Sequence, residues 1–248
     1  MIKAGDLEIT IVFDNYPGKP KLTPLWGFAA FVQLPGHTIL FDTGSNGPVL
    51  LKNIEALGLD VNNIDSLFIS HPHWDHIGGA DAVIEQNPHL HLFVPASLSK
   101  HLIHDVKKQV REVTVVDHQA AQLFDHVYST GTMNEEYIGE QAMVIDTSAG
   151  LVVVTGCAHP GIVSTAEKAR QMLDREILLL MGGFHLLNED PPAIQQVIRS
   201  LQQASVRQVC PTHCSGDLAK EMFKESFAEQ YLEGEVGATI RMTSGIVK

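Results

Sequence analysis

Positive charge is scarce in this chain. Its 248 residues carry 17 Lys and Arg against 29 Asp and Glu, a formal net charge of −12. That balance repels phosphate backbones and anionic lipid, and so speaks against nucleic-acid and membrane-surface roles. Cysteine is scarce too: only Cys157, Cys210 and Cys214 occur. An odd number in a chain of this length does not make a disulfide framework and points to a reducing compartment, the cytoplasm. No apolar run approaches the roughly 20 residues that span a bilayer. The N-terminus, Met1-Ile2-Lys3-Ala4-Gly5-Asp6, lacks the apolar stretch and cleavage site of a secretory signal. Low-complexity tracts, runs of like charge and short-period repeats are also missing, so one domain over 1–248 is expected.

What is present is an ordinary hydrophobic fraction, 44%, enough for a substantial core. Residues 7–13, 28–33 and 38–41 read as strands, the last two turned into a hairpin by Pro35-Gly36. Residues 48–57 read as a helix, with Pro48 near its start and Gly58 just past its end. A strand at 65–69, a helix near 77–86, a strand at 90–94 and a helix from about 96 follow. The second half repeats the rhythm. Strands are expected at 123–128, 142–146, 150–154, 177–181 and 206–209, helices at 162–174, 191–203 and near 216–228, and a weak strand near 237–241. Each half runs from paired antiparallel strands into alternating strand and helix. This is an α/β pattern, with mixed sheets covered by helices on their outer faces.

The chemistry concentrates in 68–79, F-I-S-H-P-H-W-D-H-I-G-G. An apolar strand passes through a short polar loop into a helical pattern, and α/β folds place ligands in such loops. His71 and His73 are two apart, which in extended backbone puts both imidazoles on one side. Asp75 and His76 follow at once. Four metal-competent side chains in six residues can converge on two cations, and imidazole with carboxylate suits zinc, iron or manganese. The plain alternative is a solvated histidine-rich loop, against which the spacing and the trailing Gly78-Gly79 both argue.

His71-x-His73-x-Asp75-His76 resembles the signature of the metallo-β-lactamase superfamily, and Phe41-Asp42-Thr43-Gly44 resembles the segment that precedes it there. Further motifs, Thr155-Gly156-Cys157-Ala158-His159-Pro160-Gly161, Gly182-Gly183-Phe184-His185-Leu186 and Pro211-Thr212-His213-Cys214, are similar to one branch of that superfamily. The branch comprises metal-dependent hydrolases of β-lactamase superfamily II and includes a dihydropterin–ribofuranosylaminobenzene phosphate synthase. The resemblance implies an αββα sandwich. It also implies that His213 binds a second cation with Asp75 and His76, rather than capping the next helix. The superfamily supplies a further histidine before strand 150–154 and a bridging aspartate after it. Here Thr130-Gly131-Thr132-Met133 occupies the first place and Cys157 the second. His159 is then expected to complete the first site with His71 and His73, with His118 and His126 as weaker candidates. Cys157 either bridges as a thiolate or is a small buried residue under the loop.

Two roles stay open for His185, contact with the substrate or leaving group, or structural support. Two stay open for Asp42: accepting the free N–H of a ligating imidazole, or capping the turn at Gly44. Trp26 either lines the pocket or belongs to the core. Cys210 and Cys214, with His213 between them, lack a second Cys/His cluster to partner them. His89, His91, His101 and His104 read as surface or packing residues.

The implied activity is hydrolysis by a hydroxide bridging two divalent cations, zinc first and manganese or iron next. Asp75 would take up a proton and His185 would assist the leaving group. A small-molecule substrate is expected, a phosphate ester or phosphodiester, because two metals stabilise both the attacking and the leaving oxygen. A pterin-dependent transferase and a non-catalytic metal-binding protein are the alternatives. Composition does not set the oligomeric state.

Overall fold

The structure is a computed structural model that describes residues 1–134, 136–243 and 246–247. Strands β1 (Glu8–Phe13), β2 (Ala29–Leu34) and β3 (His37–Phe41) open the chain and pair antiparallel. Helix α1 (Gly47–Ala56) follows, its first turn fixed by Pro48 and by Asn46, whose side chain accepts from the Val49 N–H. Then come β4 (Ser66–Phe68), α2 (Trp74–Ile77), α3 (Ala80–Gln86), β5 (His91–Pro95), α4 (Lys100–Val106) and β6 (Glu112–Val116). Strands β3 to β6 pair parallel.

The second half opens with β7 (Ala121–Phe124), β8 (Val127–Ser129), β9 (Met143–Thr147) and β10 (Gly150–Thr155), all antiparallel neighbours. It continues with α5 (Ile162–Leu173), β11 (Ile177–Gly183), α6 (Pro191–Gln203), β12 (Gln208–Thr212) and α7 (Asp217–Phe227). Here β10, β11 and β12 pair parallel. Strands β13 (Thr239–Thr243) and β14 (Ile246–Val247) return to the first sheet beside β1. One sheet has the order β14-β13-β1-β2-β3-β4-β5-β6, the other β12-β11-β10-β9-β8-β7.

Apolar side chains make three layers. Phe28, Phe41, Phe68, Met143, Val154 and Met181 pack between the sheets. Leu50, Ile54, Val83 and Ile84 cover the outer face of the first sheet. Ile162, Ile194, Ile198 and Phe223 cover the second. On α6 the buried residues are Ile194, Ile198 and Leu201, one stripe at helical spacing. Each fully buried aliphatic of this kind contributes about 1.5–3 kcal/mol. The result is the αββα sandwich that the superfamily resemblance implies.

Three elements differ from expectation. The strand expected at 123–128 is a tight hairpin, because His126 adopts φ 62° and reverses the chain between β7 and β8. The helix expected near 77–86 is two helices, since α2 already begins at Trp74 and the chain breaks at Gly78-Gly79. Strand β6 was not foreseen at all. Its sequence, E-V-T-V-V, is rich in β-branched residues and suits a strand; it lies at the sheet edge with its residues mostly exposed or half-buried. Among the described residues no helix is long and apolar enough to cross a membrane.

Candidate metal centre

Parallel strands carry their following loops to one sheet edge, and both sheets use this device here. The loops after β3 and β4 bring Asp42, Ser70, His71 and His73. The loops after β10, β11 and β12 bring Cys157 and His159, His185, and His213 and Cys214. Four non-glycine residues of these loops adopt left-handed backbone: Asp42, Ala158, His185 and His213, at φ 54°, 60°, 55° and 51°. Strained backbone of this kind gathers at functional sites.

The upstream Asp42-Thr43-Gly44 segment clamps the histidine loop. Asp42 Oδ1 accepts from Ser70 N at 2.7 Å, and its Oδ2 accepts from Ser70 Oγ at 2.6 Å and from His76 Nδ1 at 2.7 Å. Thr43 donates twice to the His76 carbonyl, through its N–H and its hydroxyl, both at 2.8 Å. Of the two roles open to Asp42, orienting an imidazole is the one it performs. Burial pushes its carboxyl up to about 7. Gly156 permits the close approach of the opposite loop, since a Cβ there would collide with Ser70 Oγ.

These contacts define tautomers. With Ser70 Oγ–H committed to Asp42, His71 Nδ1–H donates to Ser70 Oγ at 2.8 Å. His159 Nδ1 donates to Glu140 Oε2 at 2.7 Å, and His213 Nδ1 donates to Asn15 Oδ1 at 2.9 Å. Together with His76, four imidazoles therefore carry the proton on Nδ1 and leave Nε2 as a bare lone pair. Those lone pairs face inward. His71 Nε2 lies 3.1 Å from His73 Nδ1, and the His159 ring centroid is 4.6 Å from that of His71 and 4.8 Å from that of His73. On the other side His213 Nε2 is buried without a hydrogen-bond partner. It sits 3.4 Å from Asp75 Oδ2, off the direction of a hydrogen bond, while His76 Nε2 is 3.9 Å from the same oxygen.

Cys157 lies between the two groups. Its Sγ is 3.2 Å from His76 Nε2, and it is within donor reach both of His71 with His159 and of His76 with His213. An orphaned buried nitrogen, converging bare lone pairs and an ionised carboxylate are the donor set of a divalent-cation site. Burial holds the His71 imidazole well below its ordinary range and His76 at about 3, so both are neutral, as metal ligation requires. Burial would raise Asp75, but any proton carried by His213 or His76 would lie against its Oδ2, and that pull holds the carboxyl below its ordinary range.

A sequence profile of the metallo-beta-lactamase superfamily matches residues 22–157 of this chain. The chain belongs to that superfamily. A relative from Methanocaldococcus jannaschii, 7,8-dihydropterin-6-methyl-4-(beta-D-ribofuranosyl)-aminobenzene-5'-phosphate synthase, is 26% identical, with 96% of this chain and 98% of the relative covered. A solved metal-dependent hydrolase of the beta-lactamase superfamily superposes with a TM-score of 0.80 at 22% identity, covering 96% of this chain and all of the other. A diphosphatase of the PhnP family superposes with a TM-score of 0.61 at 16% identity, with 96% and 98% covered.

As a member of the metallo-beta-lactamase superfamily, the chain brings His71, His73, Asp75, His76, Cys157, His159, His185 and His213 into one cluster. His185 is exposed, its ring centroid 4.6 Å from that of His159. His118 and His126 lie elsewhere, paired with Asp117 and with the N-terminal amine. Sequence reasoning missed three neighbours, Glu140, Asn15 and Ser70, while Trp26 takes the first of its two open roles. Glu140 takes N–H bonds from Cys157, Ala158 and His159 as well as the His159 ring. Asn15, Ser70 and Trp26 complete the frame, Trp26 packing its ring 4.9 Å from that of His213. Cys214 is also less isolated than expected: it shares a donor cluster with Cys157 and His185, whereas Cys210 is buried in the core between the sheets.

Proposed function

We propose that this member of the superfamily is a cytoplasmic hydrolase whose residues hold two divalent cations, zinc first, to cleave a small phosphate ester or phosphodiester. The carrying observation is the set of four imidazoles with Nδ1 committed to hydrogen bonds and Nε2 bare and convergent. His71, His73 and His159 would hold one cation, and Asp75, His76 and His213 the other, with Cys157 placed between. When bound, such a pair supplies Lewis acidity and lowers the pKa of water from 15.7 to about 7. The chain's residues then divide the remaining work. Asp75, whose Oδ2 faces His213 and His76, orients the attacking water and takes up its proton. His185, exposed beside His159, reaches the leaving group. Trp26 shields the His213 side from solvent. A cavity of about 350 Å³ lined by Pro72, His73, Ser97, Tyr137 and Gly139 opens next to His73, a volume suited to a small molecule. The free cysteines fit a reducing compartment.

A second reading, a pterin-dependent transferase, is favoured by the full-length similarity to the archaeal synthase. The alignment with that relative extends over 290 positions, more than this chain's 248 residues, so the relative carries segments this chain lacks.

Elemental analysis tests the shared premise. Wild type purified without chelator is expected to hold close to two divalent cations per chain, and His159→Ala to lose at least one. Two cations retained in the variant would remove His159 from the site, and a wild type that takes up neither zinc nor manganese would end the hydrolase reading. Turnover of a phosphodiester set against turnover of a reduced pterin diphosphate then separates the two activities.

A further inference from the structure

One set of donors lies beside the imidazole groups and has a different chemistry. Cys157 Sγ, Cys214 Sγ and a ring nitrogen of His185 lie within 4.8 Å of one another. Each comes from a different loop after three adjacent parallel strands, β10, β11 and β12, so the sheet itself aligns them. Both thiols are buried, 4% and 6% exposed, and neither is in a disulfide. Gly183 separates their loops. A Cβ there would lie 2.6 Å from Cys214 Sγ and 3.1 Å from Cys157 Cα, so any side chain would drive the sulfurs apart. His185 closes the exposed side from a left-handed backbone at φ 55°.

We propose that Cys157, Cys214 and His185 form a thiolate-bearing metal site that takes a thiophilic divalent cation such as zinc, cobalt or cadmium. Two sulfurs and one imidazole are the soft donor set that selects such ions over magnesium or calcium. Donors around a tetrahedral zinc, bound at about 2.0–2.3 Å, sit about 3.3–3.8 Å apart, which the three atoms reach with a small inward shift. Binding converts two thiols to thiolates and releases two protons per cation. Because Cys157 also lies between the imidazole groups, its sulfur couples this site to the proposed hydrolytic centre, and the inference rests on that reading only for the shared sulfur.

The test is a cobalt titration of full-length, chelator-stripped, reduced protein, followed by thiolate-to-cobalt charge-transfer absorption. Wild type should show the band. Cys214→Ser should lose about half of it and bind this cation more than about 100-fold more weakly, beyond the 10–100-fold typical of an outer hydrogen-bond partner. His185→Gln should keep the band and weaken binding. Alkylation read by mass spectrometry gives an independent measure: cadmium should protect Cys157 and Cys214. Cys210, whose thiol burial pushes up to about 12, should stay unreactive with or without metal. Equal spectra for wild type and Cys214→Ser, with no protection of Cys214, would overturn the site even if two cations still bind the histidines. In His73→Ala, full retention of the histidine-held cations with the sulfur band intact would instead count against the hydrolytic centre alone.

Discussion

Glu140→Ala is expected to lower the unfolding free energy by about 3–5 kcal/mol, the range for removing one partner of a buried charged pair. Glu140 is 2% exposed. Its Oε1 accepts from the N–H groups of Cys157 and Ala158 at 2.9 and 2.8 Å, and its Oε2 from the His159 N–H and ring at 2.9 and 2.7 Å. Alanine leaves three buried amides and an imidazole without acceptors, and each lost partner costs a desolvation penalty of about 1–3 kcal/mol where no water enters. Urea denaturation measures the loss directly. Glu140→Gln should fall between the two, since one oxygen still accepts while the amide group faces donors. The effect also depends on pH. Burial would raise this carboxyl, but His71 and His159 outweigh it and hold it well below its ordinary value of 4.5. A depressed folded-state pKa means stability that is present above that ordinary value and lost as pH falls below it. The gap between wild type and Glu140→Ala should therefore narrow in acid. A loss under about 1 kcal/mol at neutral pH would show that the Cys157–His159 loop is held by something other than this carboxylate.

Asp75→Asn is expected to reduce kcat by about 10²- to 10⁴-fold, the span associated with a positioned proton-transfer group, and to weaken one of the two cations. Asp75 Oδ2 faces His213 Nε2 and His76 Nε2, so the amide removes a negative donor while nearly keeping the shape. The fold should hold, because the Asp75 carbonyl that accepts from the Phe28 N–H is unchanged. The deciding comparison sets metal content beside rate. Loss of one cation with loss of rate supports the dual role. A full complement of metal with unaltered kcat would leave Asp75 as packing.

Much of this was legible in the chain, and the particular residues explain why. The H-x-H-x-D-H spacing is local: its side chains meet because strand, loop and helix follow one another within a dozen residues. Parallel pairing made His159, His185 and His213 legible as well, since each follows an apolar strand. Glu140 and Asn15 offered no such signal. Glu140 follows no periodic run and is defined only by what it meets 17 to 19 residues later. Asn15 lies 198 residues from His213 and reaches it only because the two sheets stack. Cys214 looked solitary because its partners come from two other loops.

Residue pattern, read alone, determined the α/β class, and the motifs carried the resemblance that implied the superfamily and its αββα sandwich, because periodicity and short spacing are properties of contiguous residues. Tertiary structure alone decided which nitrogen of each imidazole is bare, where the sulfurs stand and which carboxylate ties the loops. Those depend on hydrogen bonds between distant segments, and only a packed sandwich brings such segments within 3 Å.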